Sequence, residues 1–182
     1  MRKLIVILVA FFVSSMSFGQ MAEVGYNTTD VGAEFQWYKD GRFIGLHLAA
    51  NSKLHNSFHA MIGIYSVQDD YGSTYYYYSK KGGMGFGVGY RYYTNLRPHG
   101  FFVGVNANLF TKEVTMNTLE AKNYTSMIFI PSLQAGYMIL INDLFFITPT
   151  VAGGYKTNLQ KKLSADEKKA VGLLGISCGF KF

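Results

Sequence analysis

The stretch GMGFGVGYRYYTNLRPHGFFVGVNANLF, Gly83 to Phe110, carries the pattern on which the fold turns. Met84, Phe86, Val88, Tyr90 and Tyr92 alternate with Gly85, Gly87, Gly89 and Arg91. The alternation stops at Thr94–His99, a run holding Asn, Pro and the approach to Gly100, and then resumes. Phe101, Val103, Val105, Ala107 and Leu109 now stand against Gly104, Asn106 and Asn108. A period of two places each set on its own face of a strand, and the interruption reads as a turn. The stretch is therefore a hairpin with one bulky apolar face and one small or polar face. Its glycines at a strict spacing of two do not form the GxGxxG of a phosphate loop. They make room on a shared inner face for large groups opposite, for which Arg91, Tyr65 and Phe102 are the candidates.

The same division runs through eight segments: 31–39, 42–50, 56–67, 83–93, 100–111, 125–140, 143–155 and 170–182. The last, VGLLGISCGFKF, sets Leu174, Ile176, Cys178, Phe180 and Phe182 against Gly175, Ser177, Gly179 and Lys181. The connections are sorted by end. Short ones follow segments two, four and six; longer ones, 68–82, 112–124 and 156–169, follow segments three, five and seven. Only Lys39-Asp40-Gly41 is short on the long-loop side. An even number of alternating strands with short turns at one end and longer loops at the other is the pattern of an outer-membrane barrel. Pro131 and Pro149 fall inside predicted strands, where each removes a ladder hydrogen bond. Both are expected to face outward, nearly opposite each other, at a bulge or weakened pairing near the external end of their hairpin.

The N-terminus MRKLIVILVAFFVSSMSFGQ has two cations, an apolar run from Leu4 to Val13, and small residues at Ser17 and Gly19. The run is too short to span a bilayer as a helix, and it reads as a secretory signal peptide cleaved before Gln20. The expected organisation is signal peptide 1–19, a short segment 20–30, and a barrel domain 31–182. Loss of Arg2 and Lys3 lowers the formal charge from +6 to +4, spread along the chain, which argues against nucleic acid. A single cysteine, Cys178, excludes an internal disulfide. No later apolar run approaches the roughly 20 residues of a membrane helix, so strands are the only elements left that could cross a bilayer. The expected fold is all-β: an eight-stranded antiparallel up-and-down transmembrane β-barrel.

The runs EFQWYKDG, HNSF and GGMGFGVGYRYYTN with GFFVGVNANLF resemble small outer-membrane β-barrel proteins of Bacteroidota. These are similar in architecture to the OmpA-like eight-stranded transmembrane barrel. The resemblance covers about 31–182 and implies a bacterial outer-membrane location, outer-membrane lipids and lipopolysaccharide as surroundings, and the outer-membrane insertion machinery as a partner. On that resemblance Phe182, an aromatic ending an alternating strand, matches the insertion signal. The resemblance carries no activity.

In an eight-stranded barrel the interior is filled by side chains. Glu34, Gln36, His47, His59, Arg91, Asn106, Asn108, Gln134 and Lys181 are all expected to point inward as a polar network. Confined charges should pair, and Glu34 with Arg91 is the expected bridge. His47 and His59 lack the further ligands a metal site needs. No GxSxG occurs, no His faces outward, and no catalytic or cofactor-binding set is identified. The loop 68–83 carries Tyr75, Tyr76, Tyr77 and Tyr78, a large contact surface for an extracellular ligand. Lys-rich external loops could meet lipopolysaccharide phosphates. The leading function is thus a non-enzymatic barrel with a plugged polar lumen and a structural or surface-interaction role. Two alternatives stand beside it: a narrow pore or small-solute-binding barrel, and a secreted, soluble, lipocalin-like barrel. The last keeps the alternation but exchanges inside and outside.

Overall fold

A computed structural model describes residues 28–52, 55–67, 78–116, 122–159 and 169–182. The signal-peptide segment, the loop tyrosines Tyr75–Tyr77 and most of the three long loops lie outside these residues. Eight strands follow one another in chain order: β1 Thr28–Tyr38, β2 Gly41–Asn51, β3 Asn56–Val67, β4 Tyr78–Tyr93, β5 Gly100–Met116, β6 Lys122–Ile141, β7 Phe145–Asn158 and β8 Lys169–Lys181. Each pairs antiparallel with the next, and β8 returns to β1, closing the barrel. Closure removes both sheet edges, so every backbone group in the wall can find a partner within it. Among the described residues no helix is long and apolar enough to cross a membrane.

The stagger can be followed through the register. From Thr28 the partners run Asn51, Ser57, Arg91, Gly104, Gln134, Ala152 and Leu173, and the circuit returns to β1 at Tyr38. One turn of the barrel therefore climbs β1 by ten residues, from 28 to 38. A displacement of that size tilts the strands by roughly 35–45° from the barrel axis.

Local chemistry sets the turns. Asn142 and Asp143 have φ of 53° and 55°, left-handed at both central positions of the Ile141–Leu144 turn, as the type I′ geometry requires. The Leu144 amide donates to the Ile141 carbonyl across it. At the other end of the barrel, β1 and β2 meet directly at Tyr38 and Gly41, whereas β5 and β6 pair up to Met116 and Lys122. The wall is thus low at β1–β2 and high at β4–β6, which run to 16, 17 and 20 residues. These strands take up residues 78–82, 112–116 and 122–124, which the sequence reading placed in loops. Similarly, β1 begins three residues before Val31, bringing Asp30 into the wall.

Two details correct the expected ladders. The β6–β7 ladder is interrupted twice, between Phe129 and Ser132 and between Gly136 and Ile139, with an unchanged register on either side. By that register Pro131 lies beside Tyr155 and Pro149 beside Tyr137, so the prolines are not opposite each other and only Pro131 is near the long-loop end of the hairpin. Each removes its own rung, as a missing N–H must, and neither makes a bulge. The bulge is on β4 instead. Gly83 and Met84 together oppose Thr111, whose hydroxyl donates to the Met84 carbonyl (3.1 Å) and accepts from the Met84 amide (2.8 Å).

Candidate functional site: the barrel interior

Alternation decides what fills the barrel. The odd residues of β1, such as Val31 and Phe35, point out, while Asp30, Glu34, Gln36 and Tyr38 are buried inside. The same sorting holds on every strand. Ile44, Ile64, Met84 and Leu133 are 56–70% exposed on the outer wall. Asp30, Glu34, Arg91 and Lys181 are at most 8% exposed within it. All nine residues expected in the polar network are buried.

The interior is layered. At the end carrying the longer connections Tyr38, Phe43, Met61, Tyr65, Phe110, Ile128, Ile130 and Leu173 form one apolar cluster. Its rings interlock: Tyr65 stacks on Phe110 at 4.4 Å, and Tyr38 meets both edge-on. At the opposite end Tyr93, Phe102, Met138 and Phe146 form a second cluster. Sequence reasoning did not identify either plug. Their members share the inner face with polar neighbours, so alternation alone marks them as inward and not as clustered. The signal that could have found them is the run of aromatics at the inward parity near strand ends: Tyr38, Phe43, Tyr65, Tyr93, Phe102 and Phe146.

Between the plugs lies the polar layer. Asn108 Nδ2 donates to Tyr38 Oη (3.1 Å), Tyr38 Oη donates to Gln36 Oε1, and Gln36 Nε2 donates to Glu34 Oε1 (3.1 Å). Glu34 Oε2 then lies 3.1 Å from His47 Nδ1. His47 stacks on His59, ring centres 5.6 Å apart and nearly parallel. A second link runs from Asn106 Nδ2 to Gln134 Oε1 at 2.8 Å. The expected Glu34–Arg91 bridge is absent. Glu34 is engaged by His47, and the Arg91 guanidinium lies 4.9 Å over the centre of the Phe102 ring. A planar guanidinium stacks well on an aromatic face, and this one roofs the lower plug. Lys181 takes a partner that the reading missed: Asp30, at 2.8 Å, on the neighbouring strand.

The glycines of β4 have the expected purpose but different occupants. A Cβ on Gly85 would meet Phe110 and Phe43 at 2.6 and 2.7 Å. On Gly87 it would meet Met61 and Asn108, and on Gly89 Asn106 and His59. The space serves side chains of the adjoining β3 and β5, and Phe43 reaching over from β2, rather than Arg91, Tyr65 or Phe102. Among the described residues no group of three or more His, Cys, Asp or Glu converges as metal ligands would. Of the four loop tyrosines only Tyr78 is described; it opens β4 opposite Met116.

No protein-family description matches the chain, and no curated protein matches it. Solved structures do. The N-terminal β-barrel domain of Pseudomonas aeruginosa OprF is similar over 87% of this chain and 99% of that one, with a TM-score of 0.57 and 18% identity. Ail, the attachment invasion locus protein of Yersinia pestis, is similar over 87% of this chain and 99% of that one, with a TM-score of 0.50 and 11% identity. These likenesses establish a shared fold, the closed eight-stranded barrel of outer-membrane proteins.

Proposed function

We propose that this chain is a non-enzymatic integral outer-membrane barrel, exported by a cleaved signal peptide, with a structural or surface-interaction role and a closed lumen. One observation carries the proposal: the apolar side chains stand outside the barrel and the charged ones inside. Ile64 and Leu133 are both 70% exposed, while Asp30 and His47 are fully buried. A soluble barrel would need the reverse, because a continuous apolar wall exceeds any patch a monomer keeps in water. Bilayer strands need about 9–11 residues, and the shortest here have 11. Trp37, Tyr92, Phe101, Tyr137 and Phe180 stand outward towards strand ends, where aromatic girdles belong.

The two aromatic plugs support a closed lumen over the pore or solute-binding alternative. A solute would have to displace side chains packed at both ends. Phe182 exchanges two backbone hydrogen bonds with Thr29 at 2.8 Å, so the aromatic offered as the insertion signal also completes the seam. Purified protein in planar bilayers is expected to show no steady conductance. Stable wild-type channels would establish the pore instead. Cell fractionation tests the location: the chain should enter the outer-membrane fraction and change gel mobility on boiling, and recovery in the soluble fraction without that shift would remove the proposal.

A further inference from the structure

The β1–β2 hairpin is the one external connection without a long loop, so its charges stay at the top of the wall. Trp37, 45% exposed, is its last outward aromatic, with Arg42 opposite on β2 and Leu174 opposite on β8. Lys39 and Arg42 are both exposed. The acid between them, Asp40, is held by Lys156 at 2.9 Å. Among the described residues no carboxylate lies within ion-pair distance of Lys39 or Arg42. Two cations flanking an indole, neither in an ion pair among the described residues, at the end of an apolar wall, complement a phosphate seated on hydrocarbon.

The wall beside them is bare. Gly172 and Gly153 pair across β8 and β7, one step above Leu174 and Val151. A Cβ added to either meets nothing within 4 Å, whereas every other described glycine has a neighbour inside that distance. Packing thus does not require glycine here. The strip lets a chain lie against the backbone between Leu174 and Val151 below and Tyr155 above.

We infer that this rim binds a phosphorylated glycolipid of the outer leaflet, with phosphates on Lys39 and Arg42 and an acyl chain along Gly153 and Gly172. The inference rests on the membrane location proposed above. Two cations on opposite arms of a hairpin suit a headgroup bearing more than one phosphate. A second copy of the chain would bring like charges together at this face.

The full chain, refolded into phosphatidylcholine nanodiscs, tests it. Retention of bisphosphorylated lipid A, phosphate-free lipid A and phosphatidylglycerol would be read by native mass spectrometry. Bisphosphorylated lipid A should be held about tenfold more tightly than either of the others. Lys39→Gln with Arg42→Gln should abolish the preference, Lys39→Arg should keep it, and Gly172→Leu should weaken it without changing charge. Undiminished retention by the double variant would overturn the site. Equal retention of phosphatidylglycerol would overturn the glycolipid, and a protein dimer lost in Gly172→Leu would assign the face to a second copy. Boiling-dependent gel mobility of the same samples separates the two ideas. A heat-shifted barrel that ignores lipid A refutes this site alone; a chain that never shifts refutes the membrane reading as well.

Discussion

At the scale of single residues, the glycines separate two kinds of site. Gly89 faces inward, and a Cβ there would fall 2.0 Å from Asn106 Oδ1 and 2.5 Å from the His59 ring. Gly89→Ala should therefore cost about 1–3 kcal/mol, the usual penalty for overpacking. Gly153→Ala, on the open outer wall, should change stability by less than about 0.5 kcal/mol. Urea unfolding of the two variants in the same vesicles checks the contrast, and equal losses would refute the inside–outside assignment at these positions. The inward parity of Gly89 was legible in the sequence, since a period of two admits only two faces. The identity of its neighbours was not, because that depends on the stagger between strands. The same limit explains Glu34. Its inward face was readable, but its partner, His47, is set by cross-strand geometry that also places Arg91 on Phe102.

At the scale of elements, the β1–β8 seam is where the barrel closes, and an ion pair sits on it. Asp30, fully buried, holds Lys181 at 2.8 Å across that seam. Lys181→Met would leave a buried carboxylate alone and should cost about 3–5 kcal/mol. Adding Asp30→Asn should restore most of that loss, because a missing pair is cheaper than half of one. A thermal-melting double-mutant cycle measures both, and additive losses would mean that the two side chains act independently. A second link, Lys156 to Asp40, ties β7 to the β1–β2 turn at the end of the barrel that holds the Tyr38 cluster. The Lys156 ammonium, hydrogen-bonded to Asp40, holds its carboxyl below the usual range against a smaller opposing effect of burial. A depressed carboxylate pKa contributes stability above the unfolded value, about 4, and loses it as pH falls through the folded one. Asp40→Asn should thus flatten the loss of stability below about pH 4. The pair is partly exposed, so its contribution is at most about 1 kcal/mol. An unchanged acid limb in pH-dependent unfolding would show the link to be inert. All eight strands were legible from alternation. Their upper ends were not: residues 78–82 and 112–116 read as loop because their composition is charged and polar, yet they pair above the apolar band. Polar composition marks where the apolar outer face ends, not where the sheet ends.

At the scale of the whole molecule, the barrel is a protein turned inside out, with its charge balanced within. Among the buried ionisable groups described, two acids, Asp30 and Glu34, face two strong bases, Arg91 and Lys181. The polar layer is shut off by aromatic clusters at each end. Alternation alone would equally describe an inverted, soluble barrel; the sorting of short and long connections and the terminal Phe182 favour the membrane, and the side chains, apolar outside and charged within, add to them. Trp37 reports that choice, being the one tryptophan of the chain and standing on the outer wall near its external end. The most direct measurement is Trp37 fluorescence during folding into vesicles whose lipids carry bromine at defined depths. The emission should shift to the blue and be quenched most by bromines close to the headgroups. Emission that no brominated lipid quenches would place Trp37 away from the bilayer and contradict the membrane-spanning barrel.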